Sequence, residues 1–526
     1  MKKIFYILLF VVSCLFYWGT SHYIQNRTEA EDAFEYATMV ESTGHPWLYH
    51  PHHLLYGPTM KLVYKTFQVT GYTGRALGVM MLVSSISAAG SLFFFFLFCY
   101  KRFSLRPVSS LMATGLLAVS YGFWRYAAEA EIVLPASLLI LIALYYGTDA
   151  EAKYSSSVLT VIFSVLSVLM HIMNGVAVFI AIPCFYLLRR RWKAAALHVL
   201  FCAGLTALVF WLTMRIHPLY AGGGAHFIPV GLGSLVKAMV ALSQCIASAD
   251  FVLGLRSMRA FLGELFASRM LQEEFYLGAR LSRAFVLFSM LTYLLFTGLW
   301  VACLARAAWI WKNRALQRDR FQLPAGIATL IVAAVWFFGY TGLLLCVEPG
   351  NPELWVMGLV PLWLLFCGWV LLPLTFDNRL WLPFAMLLIL LIHNGVGGIG
   401  VLGDPSKDYQ RQKAKWILEN ASARDLVITA GDPVFERYLR YHFHGEVVYL
   451  YAMPPEQLEA GYLPHSDGEV YVTADVFTPI RSLLVRFPKK SREIAHYSGL
   501  LRPQVRLTAQ DAFGGVYRLE ESGSDD

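Results

Sequence analysis

Eleven apolar runs govern what this chain can fold into: roughly 4–20, 76–99, 107–124, 132–147, 156–173, 175–188, 194–214, 284–305, 325–346, 354–374 and 380–400. A hydrocarbon core about 30 Å thick is crossed by a helix of about 20 residues, and most of these runs match it. Backbone amides find no water in lipid, so each run satisfies its own hydrogen bonds as a helix. Composition agrees, with 57% hydrophobic and only 15% charged residues and a mean hydropathy of +0.53, against about 25% charged in soluble domains. The expectation is an all-α polytopic membrane protein with about eleven transmembrane helices.

The first run follows Met1-Lys2-Lys3 and is not succeeded by a small-residue cleavage site, so it is read as an uncleaved anchor. Cys14, in "VVSC", does not end the run, because Leu15, Phe16 and Tyr17 continue it. The eight cysteines include no CxxC pair and none lies in the last 150 residues, which argues against a disulfide framework.

The net charge of +8 belongs to topology and not to nucleic-acid binding. Lys2-Lys3, "YKRFSLR" at 100–106, "RRRWK" at 189–193 and "RAAWIWKNRALQRDR" at 306–320 all fall on one side, which the positive-inside rule makes the cytoplasm. The opposite side receives the 21–75 loop, "FWRYAAEAE" at 123–131, the "HIMNG" turn of a tight hairpin, a long loop at 215–283, "VEPGNPE" at 347–353 and the tail from 401. The expectation is a multi-pass protein with its N-terminus cytoplasmic and its C-terminal domain outside, and the look of the N-terminus and loops points to a bacterial inner membrane.

The tail changes character. "DLVITAG", "GEVVYLYA" and "GEVYVTADV" read as strands, and "KDYQRQKAKWILENA" and "PVFERYLRYHF" as helices. Their alternation predicts a small extracytoplasmic α/β domain with a parallel sheet over 401–526, after a membrane module over 1–400. The "ITAGDP" turn at 428–433 is too short to assign a nucleotide site and reads as structural or acceptor-facing.

Chemistry concentrates in the first outside loop. Thr28 and Glu31 form a capping box, which accounts for Glu31. Asp32 and Glu35 remain; they share a helix face at i,i+3 just beyond a span, where acids accept protons or bind cations. A solvated helix face is the alternative. His45, His50, His52 and His53 follow, punctuated by Pro46 and Pro51, which forbid a continuous helix. The spacing lacks the two-His helix pattern of a zinc site, so no metal ligands are assigned. A rigid turn presenting imidazoles to a phosphate or a sugar hydroxyl fits better.

These residues resemble the GT-C superfamily of integral-membrane glycosyltransferases, and within it the bacterial protein O-mannosyltransferase-like branch. Asp32 and Glu35, then His50-Pro51 and Leu55-Tyr56, carry the likeness, together with Phe123, Trp124 and Glu131 in the second outside loop and His171 and Asn174 in the hairpin. It covers roughly the first 200 residues, and His52 and His53 depart from the Gly- and Pro-richer family turn. The resemblance implies a polyprenyl-phosphate-linked sugar donor, a protein, glycan or lipid acceptor, and transfer with inversion. Metal dependence stays open, since relatives differ and a divalent ion is compatible.

A hydroxyl acceptor is a poor nucleophile until a base takes its proton, which casts Asp32 as general base and Glu35 as its support or the acceptor's guide. His50, His52, His53, Tyr56, His171 and Asn174 are candidate substrate contacts. The leaving phosphate needs cations or N–H donors; Arg215 and His217 are candidates, whereas Arg256 and Arg259 sit on an amphipathic stretch that also suits a membrane-surface helix. Glu129 and Glu131 cannot share a helix face, so one is expected to line a cavity and the other to meet water; Glu131 is assigned to the cavity. Glu348 and Asn351 are placed over the same outer side, with Asn351 also expected to cap a helix begun by Pro352. The competing function is a transporter or flippase, which would carry polar breaks near the bilayer midplane.

Overall fold

The structure, a computed structural model, describes residues 2–27, 32–149, 154–216, 229–266, 272–314, 324–377, 379–463 and 466–520. The chain divides into two compact units: Met1–Ile24, Tyr36–Val252 and Ser282–Gly403 form the first, and Gln25–Glu35, Leu253–Leu281 and Asp404–Asp526 the second.

The first unit is helical. Among the described residues, seven helices are long and apolar enough to cross a membrane: Lys3–Tyr23, Ala76–Lys101, Trp192–Ile216, Arg283–Asn313, Gly326–Val347, Pro352–Thr375 and Trp381–Leu402. They coincide with seven of the eleven expected spans. The other four fall on shorter apolar helices, Pro107–Ala118, Val133–Gly147, Ser157–Met170 and Ile172–Leu188. A further helix, Leu232–Ile246, occupies what was expected to be loop; it buries Ala238, Ala241 and Cys245. Its single apolar face is interrupted by Lys237, so a window tuned to long spans passes over it.

Position in the bundle follows side-chain size. Ala76–Lys101 is mostly buried, and its Ser84, Ser85, Ala88, Ala89, Gly90 and Ser91 let neighbours approach closely. Trp192–Ile216 and Arg283–Asn313 leave bulky apolar side chains exposed, as spans at the rim of a bundle do. Three π-helical turns, Ala177–Ala181, Cys367–Leu371 and Gly395–Ile399, offset the helices that contain them.

Buried polar side chains pin the segment after Leu232–Ile246. Asn394 donates through Nδ2 to the Val119 carbonyl at 2.7 Å and the Ile246 carbonyl at 2.9 Å, while Oδ1 accepts from the Ser248 N–H at 2.9 Å. Asp250 accepts from Gln244 at 2.7 Å, Ser248 Oγ at 3.0 Å and Tyr121 at 3.3 Å. Sequence reading assigns none of these a role, because the bonds of Asn394 and the Tyr121–Asp250 bond join segments more than a hundred residues apart along the chain.

The second unit is α/β. Its sheet contains β1 (Leu426–Thr429), β2 (Glu446–Tyr449), β3 (Val470–Thr473), β4 (Val505–Asp511) and β5 (Gly514–Leu519), in the order β2-β1-β3-β5-β4. β1 pairs in parallel with β2 and β3; β5 runs antiparallel to both β3 and β4. The parallel part is the expected one, and the β4–β5 hairpin is an addition to it. Leu426, Ile428, Leu450, Val472, Ile494, Tyr497 and Leu501 form the core. Helix Tyr409–Asn420 starts on the Asp408 cap, and helix Pro433–His442 on the Asp432 cap with proline at its first position.

Candidate functional site

In the α/β unit the segment carrying Asp32 is held from several directions. The Arg27 N–H donates to Asp408 Oδ2 at 3.0 Å. Ala33 and Phe34 are buried, and the Phe34 ring meets Tyr438 at 5.3 Å, Tyr441 at 5.4 Å and His442 at 5.3 Å. Helix Pro433–His442 supplies all three of those rings because it is amphipathic, with Val434, Phe435, Tyr438, Leu439 and Tyr441 on its buried side. From the same helix the Arg437 guanidinium donates to the Asp32 carboxylate. Asp32 keeps 35% of its side chain exposed. Glu35 lies half-buried in the first turn of helix Ala33–Glu41, near enough to Glu436 to repel it.

Glu436 is pushed up from the ordinary carboxyl range mainly by burial, partly offset by Arg440, whose Nε donates to it at 2.6 Å. Asp432 is raised too, again by burial, against the Val434 N–H and the charges of Lys413, Arg437 and Arg486. Lys413 pairs with Asp475 at 2.5 Å, and a Cβ on Gly431 would come within 2.8 Å of Asp475 Oδ2 and 3.2 Å of Lys413 Nζ. The "ITAGDP" turn is thus a helix cap packed on an ion pair. Thr28, Glu31 and His217 lie outside the described residues.

In the helical unit the two prolines open two 3-10 turns, Pro46–Tyr49 and Pro51–His53. His50 Nδ1 accepts the His52 N–H at 3.2 Å, and the His50 and His53 rings stack at 4.3 Å, with His52 edge-on to His50 at 5.0 Å. His53 meets Tyr36 at 5.5 Å and Tyr56 at 6.4 Å. The Leu55 N–H donates to the Leu169 carbonyl at 2.9 Å, which ties the turn to the end of helix Tyr154–Met170. There His171 leaves the helix in extended conformation and its Nδ1 accepts the Met173 N–H at 3.3 Å. Burial lowers His53 well below the ordinary imidazole range, and His50, His171 and His52 add repulsion. Burial lowers His52 as well, opposed by Glu348. Asn351 caps Pro352–Phe366 through the Glu353 N–H at 3.0 Å and donates to Glu348 at 3.4 Å.

The fold therefore brings His50, His52, His53, Tyr56, His171, Glu348 and Asn351 into one neighbourhood. Asn174 is buried beside it and donates to the Ala136 and Ser167 carbonyls at 3.1 and 3.2 Å. Arg215 is elsewhere, exposed, with its guanidinium 5.3 Å from the Trp211 ring. Helix Arg256–Leu265 buries none of its residues and leaves Met258 and Phe261 exposed; Arg259 donates to the Phe275 carbonyl at 3.5 Å.

One expectation is corrected. Glu129 and Glu131 do not divide between cavity and water, because both are fully buried. Glu129 is paired one helical turn away with Arg125, a buried ion pair that "RYAAE" encodes at i,i+4. Glu131 is enclosed where its carbonyl accepts from Ser84 Oγ at 3.2 Å. Among the described residues no group of three or more His, Cys, Asp or Glu side chains is arranged to hold a metal ion.

No family model and no curated protein matches the chain. Solved structures do. ArnT from Cupriavidus metallidurans in the apo state aligns over 98% of this chain and 98% of its own, with TM-score 0.52 and 12% identity. ArnT from the same organism bound to undecaprenyl phosphate aligns over 99% of each chain, with TM-score 0.54 and 11% identity. At such identity the likeness speaks to the path of the backbone, and it does so over nearly the whole length. This multi-pass membrane protein with a small C-terminal sheet domain has a fold similar to that of ArnT from end to end.

Proposed function

We propose that the chain is a glycosyltransferase that moves a sugar from a polyprenyl-phosphate donor to a hydroxyl acceptor at the outer face of a bacterial inner membrane. The observation that carries this is the end-to-end fold likeness to a protein solved with undecaprenyl phosphate bound. The basic clusters beside the spans support a cytoplasmic N-terminus and an outer α/β domain.

In this scheme Asp32 takes the acceptor's hydroxyl proton as the oxygen attacks the anomeric carbon. The bond from that carbon to the phosphate oxygen breaks, its electron pair leaves with the polyprenyl phosphate, and attack opposite the leaving group inverts the centre. Glu35 guides the acceptor or supports Asp32. The turn with His50, His52, His53 and Tyr56, together with His171, Asn174, Glu348 and Asn351, offers imidazole, phenol and amide groups to sugar hydroxyls and phosphate oxygens. Imidazoles kept neutral by burial serve as donors and acceptors without the desolvation cost of a fixed cation. Glu131 and Arg215 are further candidate substrate contacts, and a divalent ion is compatible with the scheme.

The test uses purified protein in detergent with a radiolabelled polyprenyl-phosphate sugar and a hydroxyl acceptor. Covalent transfer that Asp32→Asn abolishes supports the proposal. A flippase would leave the donor intact in detergent and move it only across a sealed membrane.

A further inference from the structure

We infer that Arg437 is a positioning residue for Asp32, so that the α/β unit aims the base; this rests on the assignment of Asp32 as base. Three contacts within that unit involve Arg27, Asp32 and Phe34, before and at the start of helix Ala33–Glu41. Asp408 holds the Arg27 backbone N–H, the Tyr438, Tyr441 and His442 rings enclose Phe34, and Arg437 holds Asp32. The first two hold Arg27 and Phe34 in place, not Asp32 itself. Neither fixes its side chain, which turns about two torsions of its own.

Arg437 supplies that last constraint. It engages Oδ1, and the Asp32 side chain remains 35% exposed while Arg437 is 19% exposed. Among the described residues Asp32 makes no other hydrogen bond or ion pair. A planar guanidinium on one carboxylate oxygen sets the plane of the group and leaves Oδ2 as the atom presented to a proton donor. Arg437 itself sits on helix Pro433–His442, whose N-terminus is capped by Asp432 and which packs against helix Tyr409–Asn420 and β2. The aim of the carboxylate is thereby referred to rigid structure 405 residues away along the chain.

The pair is exposed enough that its contribution to folding is small, since ion pairs at the surface stabilise little. Its contribution to geometry is separate, because a base displaced by about 1 Å loses on the order of a hundredfold in rate. An Arg437 variant should accordingly fold and bind donor yet turn over slowly.

The experiment measures kcat, donor KM and melting temperature in full-length protein for wild type, Arg437→Ala, Arg437→Lys, Asp32→Asn and the double variant that combines Asp32→Asn with Arg437→Ala. Arg437→Ala should lower kcat about 10- to 100-fold with donor KM within about threefold and an unchanged melting temperature. Arg437→Lys should recover part of kcat, and Arg437→Ala should cost nothing further in protein that already carries Asp32→Asn. Full kcat in Arg437→Ala with Asp32→Asn inactive would overturn the positioning role and leave the base assignment intact. Full activity in Asp32→Asn would remove the base assignment itself. If Arg437→Ala costs as much on top of Asp32→Asn as it does in wild type, Arg437 acts independently of Asp32 and the inference fails.

Discussion

His50 and His53 stack face to face, ring centroids 4.3 Å apart and planes 16° from parallel, with His53 almost wholly enclosed. Two imidazoles this close cannot both carry a charge at modest cost, and burial holds His53 on the neutral side.

Stability should record that neutrality. His53 is held well below the ordinary imidazole range, first by burial. An unfolded histidine protonates near about 6.5. Below that value the unfolded chain takes up a proton that folded His53 refuses; the contribution is full above about 6.5 and is lost as pH falls toward the folded value. His53→Gln should therefore lose less melting temperature than wild type between pH 7 and pH 5. Asp432 and Glu436, raised by burial, act in the opposite sense but equally in both proteins. Parallel pH profiles for the two proteins would contradict the prediction.

Gly57 sets the place of the histidine turn. A Cβ there would lie 2.5 Å from the Leu48 carbonyl oxygen, a backbone atom that cannot swing aside. Gly57→Ala should cost about 1–3 kcal/mol by overpacking. It should also raise donor KM, although Gly57 offers no side chain to a substrate. Thermal unfolding and donor titration check both.

The Arg125–Glu129 pair is enclosed, with 1% and 0% of the side chains exposed. Removing one member of such a pair costs about 3–5 kcal/mol, because the other is left charged in a dry site. Arg125→Met should be severely destabilised, and adding Glu129→Gln should recover part of the loss in the same melting assay.

How much of this was legible in the sequence depends on the range of the interaction. Apolar runs of about twenty residues announce themselves, and the seven long helices sit where hydropathy puts them. Leu232–Ile246 does not, because fifteen residues with a lysine among them resemble a loop. Pro46 and Pro51 foretell a turn of imidazoles, and the strand patterns of "DLVITAG" and "GEVYVTADV" foretell the parallel part of the sheet. The alternation in "VRLTAQDAFGGVYRL" encodes the β4–β5 hairpin around Gly514, at φ +115°, and could have been recognised. By contrast, nothing local in "EDAFEY" points to Arg437, nothing local in "LIHNGVGG" points to Ser248, and no periodicity announces a π turn. Such pairings depend on which helices become neighbours, a property of the folded chain as a whole.

The base assigned to Asp32 is tested most directly by single-turnover transfer from a labelled polyprenyl-phosphate sugar in detergent, wild type against Asp32→Asn. A carboxylate that removes the acceptor proton contributes on the order of 10²- to 10⁴-fold, and the asparagine variant should lose that much while still binding donor. Transfer within about threefold of wild type would contradict it.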